Sequence, residues 1–267
     1  MTQPTGSTPT PVPVRRGSRT GRVLVALAAV LVVVLSALAV RDGGTGGLVW
    51  VLVPTVVVAA FVADLWATRR RHERNRAFAA SIGWAYQESD PDLIGRWQGE
   101  PFGQGSARRA TEVLRGRFRG RPVTSFTYRW TTGSGKNRTT HTRHVVALDL
   151  PAFLPTLQLT PEGFGTAVAR ALGGQDIRFE SEEFNRAWRV QGGDLRFAHG
   201  VVHPQMIDRL MRFPLVGSSL RVEGPSVLSW EPGSTDLQRI AERVGALCDL
   251  ADAVPRHVWQ DHGFGPR

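Results

Sequence analysis

Two apolar runs near the start of the chain, seven residues apart, restrict its fold more than any other feature. Residues 23–40, VLVALAAVLVVVLSALAV, carry no charge over 18 positions, and residues 48–67, LVWVLVPTVVVAAFVADLWA, carry one acid, Asp64, over 20. A helix needs about 20 apolar residues to cross a bilayer core. The pattern therefore predicts two transmembrane helices, joined by RDGGTGG as an antiparallel hairpin. A cleaved signal peptide is the lesser reading of the first run, which exceeds the usual apolar stretch, lacks a small-x-small site and is followed at once by the second run. Arg15, Arg16, Arg19 and Arg22 precede the pair, Arg69, Arg70, Arg71, Arg74 and Arg76 follow it, and only Arg41 lies between. Basic flanks stay inside, so the expected location is the bacterial inner (plasma) membrane, multi-pass, with both termini cytoplasmic. Asp64 reads as an interfacial carboxylate beside the following arginines rather than as part of an ion path.

The remainder reads as one α+β domain with a mainly antiparallel sheet and a C-terminal helix. Residues 1–21 are rich in Pro, Thr and Ser and read as a disordered tail. The transmembrane pair then occupies 22–68, a basic stalk with short elements 69–110, the cytoplasmic domain 111–254, and a short tail 255–267. Alternation predicts strands at 112–119, 123–131, 139–150 and 156–160. A helix is expected from Pro161, short strands at 176–180 and 186–191, a helix in HPQMIDRLMRF, and a hairpin around Gly224–Pro225. In the last helix, Thr235 and Gln238 read as a capping box, and Leu237, Ile240, Val244, Leu247, Cys248 and Ala251 follow helical spacing.

The stretch TTGSGKNRTT, residues 131–140, imitates the end of a phosphate-binding loop. Such a loop needs a first glycine five residues before the Gly-Lys pair and a Ser or Thr after the lysine. Trp130 and Asn137 stand at those places. Its flanks are strand-like on both sides, with Phe126, Tyr128 and Trp130 alternating upstream. The stretch is expected to be a hairpin turn, and no nucleotide is expected to bind.

Two segments, TGSGKNRTTHTRHVVALDLP and FESEEFNRAWRVQGGDLRFAHGVVHPQMIDRLM, together resemble the bacterial family called domain of unknown function 3137. Ser181, Phe184, Asn185, Trp188 and Val190 match its Ser-x-x-Phe-Asn-x-x-Phe-x-Val segment, with Trp188 at the Phe place. The resemblance covers about residues 112–222. It implies a membrane-anchored protein and no known reaction, and so transfers no catalytic residue.

Candidate chemistry is sparse. His199 and His203 are four apart but lack the Glu of a zinc helix and any third ligand. His141 and His144, three apart on a strand, face opposite sides. Cys248, the single cysteine, sits at an apolar helical position. No metal, cofactor or catalytic residue is expected.

Charge is the distinctive feature. Residues 108–143 hold ten basic residues and one acid, and residues 144–267 hold 12 basic and 15 acidic. Alternation puts Arg115, Arg117, Arg119 and Arg121 on one strand face, and the adjoining strand adds Arg129. A solvated sheet face, an anionic membrane surface and nucleic acid are the three readings of that stripe, in falling order. The chain reads as a binding or scaffold module contacting membrane lipids and unidentified protein partners. An unrecognised membrane-anchored hydrolase is the alternative.

Overall fold

A computed structural model describes residues 47–161, 175–212 and 217–264, with side chains in the first helix from Thr55 on. The first apolar run, the N-terminal tail and the helix expected after Pro161 lie outside these residues. The chain divides into two compact units, Met1–Arg71 and His72–Arg267.

The second apolar run and the arginines after it form one 35-residue helix, α1 (Gly47–Ser81). Among the described residues, no helix is long and apolar enough to cross a membrane. This overturns the expected transmembrane hairpin, and with it the multi-pass location with both termini inside. The reason is visible in α1. Asp64 interrupts its apolar stretch, and Arg69, Arg70 and Arg71 follow directly.

The expected antiparallel sheet is present in the second unit. Its strands are β1 (Ala85–Ser89), β2 (Ser106–Phe118), β3 (Arg121–Thr132), β4 (Thr139–Pro161), β5 (Gln175–Ile177), β6 (Trp188–Gly192) and β7 (Ser219–Pro232). The order is β1-β2-β3-β4-β6-β5, with β7 also paired to β4. Strand β4 is the organiser. Its first half pairs with β3, from Thr132↔Thr139 to Val123↔Leu148, and its second half with β6. Strand β7 pairs with both halves. Short helices follow the sheet: α2 (Glu182–Ala187), α3 (Leu195–Val201), α4 (Pro204–Met211), α5 (Ile240–Ala253) and α6 (Arg256–Asp261).

Alternation gives each sheet face its own core. One face, with Leu114, Val123, Val146 and Leu148, packs against Val244, Leu247 and Cys248 of α5. The other is aromatic: Phe126, Tyr128, Trp130 and Trp230 are covered by Trp97 and Phe102. Trp97 stacks on Phe126 with centroids 5.9 Å apart, and Phe102 meets Tyr128 at 5.0 Å. The covering segment is held by Arg221, whose guanidinium is fully buried and donates to Gln98 O, Glu100 O and Gln158 Oε1. A buried guanidinium needs such acceptors, because an unpaired buried charge is costly.

The Gly-Ser-Gly-Lys stretch is a hairpin turn, as expected. Gly133 has φ +76°, and an added Cβ would collide with the carbonyl of Asn137, so glycine is required there. One turn of 3-10 helix, Gly135–Asn137, completes the link from β3 to β4.

Candidate functional site

The arginine stripe is partly dismantled by the fold. Phe118 pairs with Arg121, leaving Arg119 and Gly120, both at positive φ, as a two-residue turn. That backbone is typical of tight hairpins, and it takes Arg119 out of the strand alternation. Arg115 turns to Asp90, which caps the 3-10 turn Pro91–Leu93 on the aromatic side. Burial opposes ionisation of Asp90, but the hydrogen bond from Arg115, helped by the Asp92 N–H, holds its pKa below the usual carboxylate range. Arg119 and Arg121 reach the opposite side, pairing with Asp249 of α5 at 2.5 Å and with Asp252 at 2.7 Å. Arg117 donates to Gly120 O at 2.6 Å and is exposed. The Nε of Arg129 is buried with no hydrogen-bond partner among the described residues. Three of the ten basic residues in 108–143 are thus offset in space by acids from outside that segment.

A cluster that sequence reasoning missed lies between the sheet and the start of α5. His144 and Ser125, on adjacent strands, place Nε2 and Oγ 2.9 Å apart. Glu231 of β7 puts Oε1 3.8 Å from His144 Nδ1. This outlines a Ser–His–Glu arrangement, but two facts oppose nucleophilic chemistry. Ser125 is 0% and His144 1% exposed. The Nδ1 atom is also taken by the backbone N–H of Asp236, which donates to it at 3.3 Å. A neutral His144 therefore carries its proton on Nε2 and donates it to Ser125 Oγ, the reverse of what a general base requires.

The cluster instead holds a buried cation. Arg243, fully buried, donates to His144 O at 3.3 Å, to Ser229 O and Oγ at 2.9 Å each, and to Glu231 Oε1 at 3.4 Å. Arg239 donates to the other oxygen of Glu231 at 2.7 Å. Burial lowers Arg243 to about 10, with Glu231 holding it up. Burial would raise Glu231, but His144, Arg243 and Arg239 outweigh it and bring the carboxyl to about 2. His144 falls to about 4 because burial disfavours the imidazolium, with Arg243 adding to the effect against the pull of Glu231. Beside it, Thr127 donates to the buried Glu112 at 2.7 Å and accepts from the N–H of Thr235.

The other sequence candidates have separate structural partners. His203 meets Ala253 O at 3.2 Å, while the His199 ring packs on Phe179 at 5.0 Å. His141 bonds Thr132 and stacks on Trp130, on the face opposite His144. Cys248 is buried, and burial pushes its thiol up. No group of three or more metal-type ligands occurs among the described residues.

Among the described residues, the first helix carries four of the exposed large apolar side chains. Val56, Val57, Phe61 and Trp66 are 64%, 60%, 54% and 62% exposed. Arg69, Arg70 and Arg71 follow, all exposed.

No family model matches the chain, and no curated protein does. Among solved structures it is similar to the crystal structure of the mycobacterial trehalose monomycolate transport factor A. That match has a TM-score of 0.55 and 17% identity, over 73% of this chain and 98% of that one. The two share a fold. At this identity the likeness extends to the arrangement of the backbone.

Proposed function

We propose that this chain is a binding module that associates with an anionic lipid surface. The observation that carries the reading is the run in α1 of four large exposed apolar side chains followed by three exposed arginines. At about 100° per residue these four project around the helix rather than along one face, and large apolar side chains exposed in this way mark an interaction site. Trp66 lies at the junction, where an amphipathic ring suits a boundary between apolar and wet surroundings. Basic residues there draw the helix to anionic headgroups. This is association at the surface, since among the described residues no helix is long and apolar enough to cross a membrane. The structural neighbour, named as a trehalose monomycolate transport factor, is in keeping with a membrane-associated role. The buried Ser125–His144 pair with its reversed proton favours a binding module over a hydrolase.

Co-sedimentation of the full chain with vesicles tests this. Binding should be strong with 30% phosphatidylglycerol and weak with phosphatidylcholine alone. Each basic group near an anionic surface contributes about 1 kcal/mol, so Arg69→Gln, Arg70→Gln and Arg71→Gln together should weaken binding about a hundredfold at low salt, and less when screened. Gln at Arg115, Arg117, Arg119 and Arg121 should matter less, because Asp90, Asp249 and Asp252 already offset three of these charges. Equal binding of wild type and the first triple variant to anionic vesicles would remove the reading.

A further inference from the structure

Beyond lipid association, most of the basic residues in 108–143 that acids do not offset gather at one end of the sheet. Strand β2 starts there, β3 ends there, and the turn into β4 closes it. Arg109 and Arg129 stand directly opposite each other on the antiparallel strands β2 and β3. Residues so opposed have Cα atoms about 4.5–5.5 Å apart and side chains on one face. Like charges in that relation destabilise the pairing. Among the described residues, neither arginine has an acidic partner. Arg109 is exposed, whereas Arg129 is half-buried, and its Nε is buried with no hydrogen-bond partner among the described residues.

The row continues onto β4, where Thr142 stands opposite Arg129. Thr140, two residues earlier, shares that face by alternation and is exposed. Two guanidinium groups side by side, with threonine hydroxyls next to them, form a surface rich in donors and short of negative charge. A carboxylate offers two coplanar oxygens and a single charge, which suits one guanidinium fork. A phosphoryl group offers three acceptor oxygens and nearly twice the charge, and so can bridge both forks. The rings that would stack nucleobases, Phe126, Tyr128 and Trp130, are buried in the core of the other sheet face. A phosphoryl group therefore fits this row better than a single-stranded nucleic acid does.

We infer that Arg109 and Arg129, with the hydroxyls of Thr140 and Thr142, form a phosphoryl-binding site. Arg129 supplies the partly buried fork and Arg109 the exposed one. The bound anion offsets the repulsion between β2 and β3, so this end of the sheet is more stable filled than empty. The inference stands on the cross-strand register and does not use α1.

Isothermal titration and thermal unfolding of the full chain at low salt test it. Inorganic pyrophosphate is the soluble probe and acetate the carboxylate control. Pyrophosphate should bind about tenfold or more tighter than acetate and should raise the melting temperature. Arg109→Gln should raise the melting temperature of the ligand-free protein, because the opposed charge is gone, and should weaken pyrophosphate about tenfold or more. Arg129→Lys keeps the charge and loses the fork, and should also weaken pyrophosphate. Arg117→Gln, toward the other end of β2, should bind it as wild type does, and so should the triple variant of Arg69, Arg70 and Arg71, so this site and the α1 reading fail separately. Phosphatidylcholine vesicles carrying phosphatidic acid or phosphatidylglycerol, matched for surface charge, then identify the source. A preference for phosphatidic acid that Arg109→Gln removes assigns the site to a lipid headgroup, and equal vesicle binding assigns it to a soluble phosphorylated molecule. No binding of pyrophosphate, equal binding of pyrophosphate and acetate, unchanged pyrophosphate binding by Arg109→Gln, or a melting temperature lowered by Arg109→Gln would each overturn the assignment.

Discussion

Glu231→Ala should cost about 3–5 kcal/mol of folding stability, the usual result of stripping a buried ion of its partner. The alanine leaves Arg243 charged and fully buried, with carbonyl and hydroxyl acceptors but no carboxylate. It also removes one of the two carboxylates paired with Arg239, leaving Glu242. Urea unfolding followed by circular dichroism measures the loss. Adding Arg243→Met to Glu231→Ala should recover part of it, because no unpaired buried charge then remains. A fully additive double variant would show that the two residues do not act as a pair.

Acidification should destabilise the protein in two stages. His144 titrates near 6.5 when unfolded and near 4 when folded. Between these values the unfolded chain binds a proton that the folded chain refuses, so stability falls as pH drops from about 6.5 to about 4, by ~3 kcal/mol for this group. Glu231, held near 2, contributes stability that is fully present above about 4.5 and is lost as the pH falls toward 2. Midpoints of urea unfolding between pH 7 and pH 3 check the order. His144→Gln should flatten the upper stage and shrink the lower one without abolishing it, because Arg243 and Arg239 still hold the Glu231 carboxyl down. If the upper stage persists unchanged in that variant, His144 is not its source.

The legible parts of the fold were those set by local pattern. Period-two alternation located β3 and the start of β4. Asp90 before Pro91 is a local cap of the same kind, its carboxylate accepting from the N–H of Asp92. The Ser181–Val190 segment carried a local code as well. Ser181 caps α2 by accepting from Phe184 N, and the Asn185 amide bonds both backbone groups of Phe179. Alternation gave two strands, 139–150 and 156–160, yet β4 runs unbroken from Thr139 to Pro161, taking in Pro151 and Pro155 through irregular register against β7 between Asp149 and Leu157. An irregular stretch tolerates proline because its N–H is not needed there. The capping box failed for a tertiary reason. Thr235 is engaged with Thr127 across the sheet, and the helix begins at Ile240 with no side-chain cap.

The candidate sites were less legible, because their residues meet only in three dimensions. Asp249 and Asp252 are more than a hundred residues from the arginines they pair with. Ser125, His144, Glu231 and Arg243 come from three strands and a helix. No local spacing reports such meetings.

The long strand β4 has a consequence for how the protein is made. It pairs with β3 as soon as both have emerged from the ribosome, but its other edge waits for β7, whose last residue comes about 70 residues later. At ~5–20 residues per second of synthesis, that edge stands open for about 4–14 s. An open strand edge is a template for a wrong partner, and here it includes the buried-to-be Val145, Val146, Ala147 and Leu148. For this chain the hazardous interval in biosynthesis falls between residues 161 and 232, and slow translation there would lengthen it.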